Sequence, residues 1–154
     1  MALIGIFQDE VRAALKAHDA FRLGVLRFAL AIIKNREIEK RAKSNEGLTE
    51  EEVIDVLQKE VKRRKESVML YAQGGRTDLV VKEEAELAVL AAYLPAMLDR
   101  DAVIKTIDEL YHAGHTEFTS LMKKAMQRLK GKADGKLVTD VIKQKLGANV
   151  ARKE

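Results

Sequence analysis

Residues 49–75 read TEEEVIDVLQKEVKRRKESVMLYAQGG, and their pattern decides the fold class. Thr49 with Glu52 three residues later fits a capping box: the hydroxyl accepts from the backbone amide of the third helical residue, whose side chain reaches back. Val53, Leu57 and Val61 then recur every four residues, the spacing of one helix face. Gly74-Gly75 supplies the stop, because the residue just past a helix commonly needs a positive φ. One long helix fills the interval. Inside it, Lys62-Arg63-Arg64-Lys65 is expected to be a solvated face, since successive residues turn by about 100° and scatter round the axis.

The same grammar extends in both directions. Upstream, Phe7, Val11 and Leu15 step by four, as do Leu26, Leu30 and Lys34, with Leu23 and Ile33 completing that second face. Asp19 is placed to cap a helix over 20–43, and Ser44-Asn45-Glu46-Gly47 to turn it. Downstream, a helix starting at Thr77 or Asp78 must stop before Pro95, which disfavours helical geometry at Leu94. Asp99 opens a helix that carries Ile104, Ile107 and Tyr111 and closes at Gly114; two more follow, over 116–130 and 135–146. No segment alternates with period two for long enough to be a strand. The expected fold is all-α, with a helical bundle over 1–95, a smaller helical domain over 96–147, and an extension without regular structure over 148–154.

Composition narrows the chemistry. The 154 residues contain no cysteine, which removes disulfide frameworks, thiol nucleophiles and Cys-based metal sites. The longest run free of formal charge is Leu87–Leu98, too short for the ~20 residues of a bilayer span. Neither this run nor the N-terminus reads as a span or a leader, so a cytoplasmic location with no membrane partner is expected. Charge is uneven. Residues 1–90 balance, whereas 121–154 carry a net +7, which the net −3 of residues 91–120 brings to the chain's +4. Such asymmetry suggests a polyanionic partner, or a soluble basic end with none.

Candidate sites are few. Ser44, Ser67 and Ser120 lie in no nucleophile motif, so no catalytic residue is assigned. Gly131-Lys132-Ala133-Asp134-Gly135-Lys136-Leu137 has one residue too few between its glycines for a phosphate loop, and Leu137 replaces the Mg²⁺-binding hydroxyl; no cofactor is expected. Glu109 and His112 share a helix face, with His115 beyond, but the second Glu-x-x-His of a di-metal site is missing. No metal is expected there, and a histidine near the negative end of a helix dipole accounts for the pattern. The remaining cluster is Lys123, Lys124, Arg128, Lys130, Lys132 and Lys136, which straddles a helix end, the Gly131–Gly135 turn and the next helix start. Outward-pointing amides at that start would attract phosphate, unless Asp134 caps the helix and occupies them.

The turn Gly131-Lys132-Ala133-Asp134-Gly135-Lys136-Leu137-Val138 resembles the signature of YqeY-like proteins, which are similar to the tail domain of GatB, the B subunit of the tRNA-dependent Asp/Glu amidotransferase. Three further blocks carry the resemblance: Leu26-Arg27 with Ile33-Lys34-Asn35 and Glu37-Ile38-Glu39; Gly75-Arg76 with Asp78-Leu79; and Lys82-Glu83-Glu84-Ala85-Glu86-Leu87 through Tyr93-Leu94-Pro95. It spans about residues 3–147. Thr119-Ser120 before Leu121-Met122, and Gln127, depart from the family pattern. The resemblance implies a small three-helix GatB-tail-like domain after the bundle, and a role in holding tRNA. A family label of carbon–nitrogen ligase activity with glutamine as amido donor would be inherited from the multidomain relative, since no residue here could carry that reaction.

Two functions follow as expectations. The first is a non-catalytic module for tRNA or other structured RNA. In it Lys123, Lys124, Arg128, Lys130, Lys132 and Lys136 contact phosphates while Gly131 and Gly135 let the backbone approach. The second is a helical adaptor for a protein partner in aminoacylation or transamidation, such as an amidotransferase or aminoacyl-tRNA synthetase.

Overall fold

The computed structural model describes residues 2–151, and side chains as far as residue 147. Seven helices are present among the described residues and no strand: α1 Leu3–Lys16, α2 Ala20–Ser44, α3 Glu50–Gln73, α4 Thr77–Ala91, α5 Arg100–His112, α6 Phe118–Leu129 and α7 Gly135–Ala151. The fold is all-α. None of the described helices is long and apolar enough to cross a membrane. The chain divides into two compact units between Leu94 and Pro95.

Helix ends follow local chemistry. Asp19 accepts from the Arg22 amide, Asp99 from the Ala102 amide, and Thr49 with Glu52 forms the complete capping box. Gly75 and Gly114 adopt φ of 71° and 104° where α3 and α5 end. His18 and Asn45 also take positive φ, in the α1–α2 turn and at the end of α2. The last helix differs from its expected end at Leu146. It continues through Gly147 to Ala151, because a mid-helix glycine costs only about 1 kcal/mol and does not by itself terminate a helix. Of the expected extension, residues 152–154 lie outside the described residues.

In the first unit, α1 packs on α2, α2 on α3 and α4, and α3 on α4. The core gathers Leu3 and Phe7 of α1, Leu26, Ala29 and Ile33 of α2, Val53 and Leu57 of α3, and Leu90 of α4. Leu15, expected on the inner face, is 53% exposed; Ala14 is buried instead. A step of seven returns within about 20° of the starting line, whereas a step of eight overshoots by about 80°. The Phe7 ring meets that of Tyr93 at 4.8 Å. Arg22 bridges the Tyr93 hydroxyl and Glu10, with 2.7 Å to the carboxylate, so α1, α2 and the end of α4 share one polar clasp. Burial pushes the Tyr93 hydroxyl above its ordinary pKa, while the Arg22 guanidinium holds the Glu10 carboxyl below its own.

The basic run of α3 is the principal correction. Arg64 is buried beside Glu60, also buried, and is not part of a solvated face. Its Nη1 donates to Glu83, at 3.1 Å, and to Glu86, both on α4; its Nε lies 3.0 Å from Glu60 but is not aligned for a hydrogen bond. Arg63 closes the cluster with two bonds to Glu60 of 2.8 and 2.9 Å. The Phe28 ring covers the Arg64 guanidinium at 5.2 Å.

In α3, Glu52 accepts from the Thr49 amide and from Lys40 Nζ at 2.8 Å, and these bonds hold its carboxyl below the usual pKa. Its unfolded-state pKa is near 4.3. The stability these bonds give is therefore fully present above that pH and is lost as pH falls through the lower folded value. Glu52→Gln should unfold with a shallower pH dependence than wild type in urea titrations between pH 5 and 2 (the range is about two units round the carboxylate value). An unchanged pH slope would contradict the linkage.

The second unit is built by α5, α6 and α7 packing on one another. Val103, Ile107 and Leu110 meet Leu121, Ala125 and Leu129, and Val138, Val141 and Ile142 complete the core. Large apolar side chains of this kind contribute roughly 1.5–3 kcal/mol each on burial, the means by which helices this short persist.

Candidate nucleic-acid interface

Because α6 turns Leu121, Ala125 and Leu129 inward, Lys123, Lys124 and Arg128 are left exposed. Lys124 and Arg128 are four apart and share a face; Lys123 and Lys130 are seven apart and share another. Lys130 caps α6, its amide bonding to the Met126 carbonyl. The chain then reverses at Gly131, whose φ of 75° suits glycine, while the amides of Lys132 and Ala133 return to the Leu129 carbonyl. Buried Ala133 anchors the turn to the core, and the Lys132 carbonyl accepts from the Leu98 amide at 2.7 Å. Lys132 and Lys136 are exposed on either side of it.

Of the two possibilities at the start of α7, Asp134 occupies the helix end. Its Oδ1 accepts from the amides of Lys136 at 2.7 Å and Leu137 at 3.3 Å. Outward amides therefore supply no phosphate cradle, and Gly135, exposed and without a positive φ, has no conformational demand to meet. Any anion must be held by side chains.

Those side chains are mostly uncommitted. Among the described residues Lys123, Lys124, Lys130, Lys132 and Lys136 form no ion pair, whereas Arg128 reaches Glu109 of α5 at 3.1 Å. That pair is half exposed, so it is worth ~1 kcal/mol at most and yields readily to a stronger anion. Lys145 is drawn away from the cluster, bonded to Asp108 at 2.7 Å and lying over the Tyr111 ring. Lys143 is a further cation of this unit that no motif in the sequence marks. It is exposed on α7 seven residues from Lys136, a spacing that places both on one face.

The Glu109–His112–His115 constellation is dispersed among other partners. Glu109 holds Arg128, His112 Nδ1 donates to the Asp108 carbonyl at 2.7 Å, and His115 Nδ1 lies 2.9 Å from the Ser120 hydroxyl. No group of three or more metal-ligating side chains occurs among the described residues.

The sequence pattern of the Yqey-like protein family matches residues 5–146. The chain belongs to the YqeY family. YqeY relatives named "Altered inheritance of mitochondria protein 41, mitochondrial" are similar to it. That of Eremothecium gossypii is 36% identical over 96 residues, covering 62% of this chain and 50% of the relative. The Saccharomyces cerevisiae protein is 27% identical over 137 residues, covering 89% of this chain and 65% of the relative. That of Kluyveromyces lactis is 33% identical over 94 residues, covering 61% and 49%. The chain thus spans about half to two thirds of the length of these curated relatives. Their names place them in mitochondria, and this finding overturns the expectation of a cytoplasmic location, which rested only on the lack of a recognisable leader or span. Neither the YqeY description nor these names state a catalysed reaction.

Proposed function

We propose that this YqeY-family chain is a non-catalytic RNA-binding module with tRNA as its favoured ligand. The observation that carries the reading is the run of exposed cations from Lys123 to Lys136, of which only Arg128 has an acidic partner among the described residues. Lys132 and Lys136 flank the turn and contact phosphates; Lys123, Lys124, Arg128 and Lys130 extend the contact along α6. Phosphate contacts of this kind give affinity and register with little sequence readout. Among Phe, Tyr and Trp this unit has Tyr111, engaged with Lys145, and Phe118, which leaves little for base stacking and favours a folded RNA recognised by shape. An amidotransferase or aminoacyl-tRNA synthetase is the class of protein beside which such a module would act, with any amide transfer carried by that partner.

Filter binding of bulk tRNA at two salt concentrations tests the reading. If three or four phosphates are engaged, affinity should fall roughly 40- to 150-fold between 50 and 200 mM salt. Lys132→Glu with Lys136→Glu should weaken binding at least ~10-fold and flatten the salt slope. Undetectable or salt-independent binding overturns the proposal. A protein captured from nuclease-treated lysate, with no RNA binding, would favour the adaptor reading instead.

A further inference from the structure

Of the chain's four phenylalanines and three tyrosines, Phe21, Phe28 and Tyr71 line a single half-open cleft of about 590 Å³ between α2, α3 and α4. That volume lies within the range of small-molecule sites. Phe21 and Phe28 are respectively 47% and 38% exposed, and Phe28 also covers the Arg64 guanidinium. They stand seven residues apart on one face of α2, about 10 Å along the axis. Between them lies Gly24, where an added Cβ would meet nothing within 4 Å. The result is a bare strip of helix bounded by two rings.

The polar groups of the cleft are of two kinds. At its rim, exposed Lys82 forms no ion pair among the described residues, and the Arg63 side chain is 66% exposed. Glu83 and Glu86, both less than a quarter exposed, each engage Arg64 through Oε2, leaving carboxylate capacity beside the rings. Arg64, with a side chain 8% exposed, forms part of the cleft wall, its Nε turned to Glu60 at 3.0 Å. Aromatic walls suit a planar heterocycle, the carboxylates suit its amino protons, and the cationic rim suits an attached anion.

We propose that this cleft binds a nucleotide unit, with the base between Phe21 and Phe28 over Gly24 and the phosphate at Lys82. The same chemistry is offered by a free mononucleotide and by an unpaired residue of a single-stranded RNA. The site is separate from the lysines of α6 and α7, so it stands or falls independently of the function proposed above.

The test uses the full chain. Saturation-transfer NMR and equilibrium dialysis are run with the four ribonucleoside monophosphates, adenosine, inorganic phosphate and an unstructured hexanucleotide. Monophosphates are expected to bind saturably, adenosine more weakly and phosphate alone least. Phe21→Ala should weaken binding roughly 5- to 150-fold, the span of one lost stacking contact. Lys82→Ala should reduce a monophosphate to the level of adenosine. Gly24→Leu should abolish binding while the protein remains folded, since leucine is a better helix former and has open space. Lys132→Glu with Lys136→Glu should leave mononucleotide binding unchanged. Binding of the hexanucleotide alone, sensitive to Phe21→Ala, assigns the site to RNA rather than to free nucleotide. No saturable binding by any probe, or binding untouched by Gly24→Leu and Phe21→Ala, overturns the proposal.

Discussion

Arg64→Met is expected to destabilise the first unit by about 3–5 kcal/mol, the usual cost of removing one partner from a buried ion cluster. Glu60, itself 7% exposed, would be left with Arg63, and Glu83 and Glu86 would lose the guanidinium they share. In a unit of this size such a loss corresponds to a fall of more than about 12 °C in melting temperature. Urea unfolding followed by circular dichroism measures it. Adding Glu83→Gln and Glu86→Gln to Arg64→Met should recover much of the stability, because the stranded charges are gone. If Arg64→Met alone lies within about 1 kcal/mol of wild type, the carboxylates are hydrated and the cluster is not the internal one described.

The second large effect is Phe7→Ala, expected to cost about 3–5 kcal/mol. Phe7 is fully buried, and its ring packs on Tyr93, whose hydroxyl belongs to the Arg22–Glu10 clasp. Removing the ring opens a cavity and loosens the support of that clasp together. Leu70→Ala is the contrast: Leu70 is 65% exposed on α3 and should change stability by no more than about 0.5 kcal/mol. Equal losses in the two variants would mean that burial does not govern stability here.

What could be read from the sequence was local. Asp19, Thr49 with Glu52, Asp99, Gly75 and Gly114 each act within about one turn of their own position, so residue type and spacing suffice to place them. Arg64 escapes the solvated-face expectation because a four-residue run scattered round the axis at about 100° per residue sends one of its members inward. Val53, Leu57, Glu60 and Arg64 stand at steps of four, seven and eleven, the inner stripe of α3 continued by ionic residues; following the stripe past Leu57 would have found them. No sequence rule would have paired Phe28 with Arg64, or either with Glu86, because those meetings depend on how three helices pack. At the basic corner the cations were legible, but the choice between Asp134 and an outside anion at the α7 amides needed coordinates.

That choice has a consequence for handling and for evolution. A corner that satisfies its own amides with an internal carboxylate keeps its shape in the empty state, so stripping away polyanions should leave no folding defect behind. On the function proposed above, grip falls to long exposed side chains that can adjust to differently curved backbones. On that reading the surface trades discrimination for adaptability, and single exchanges of its exposed lysines should change stability by no more than about 0.5 kcal/mol.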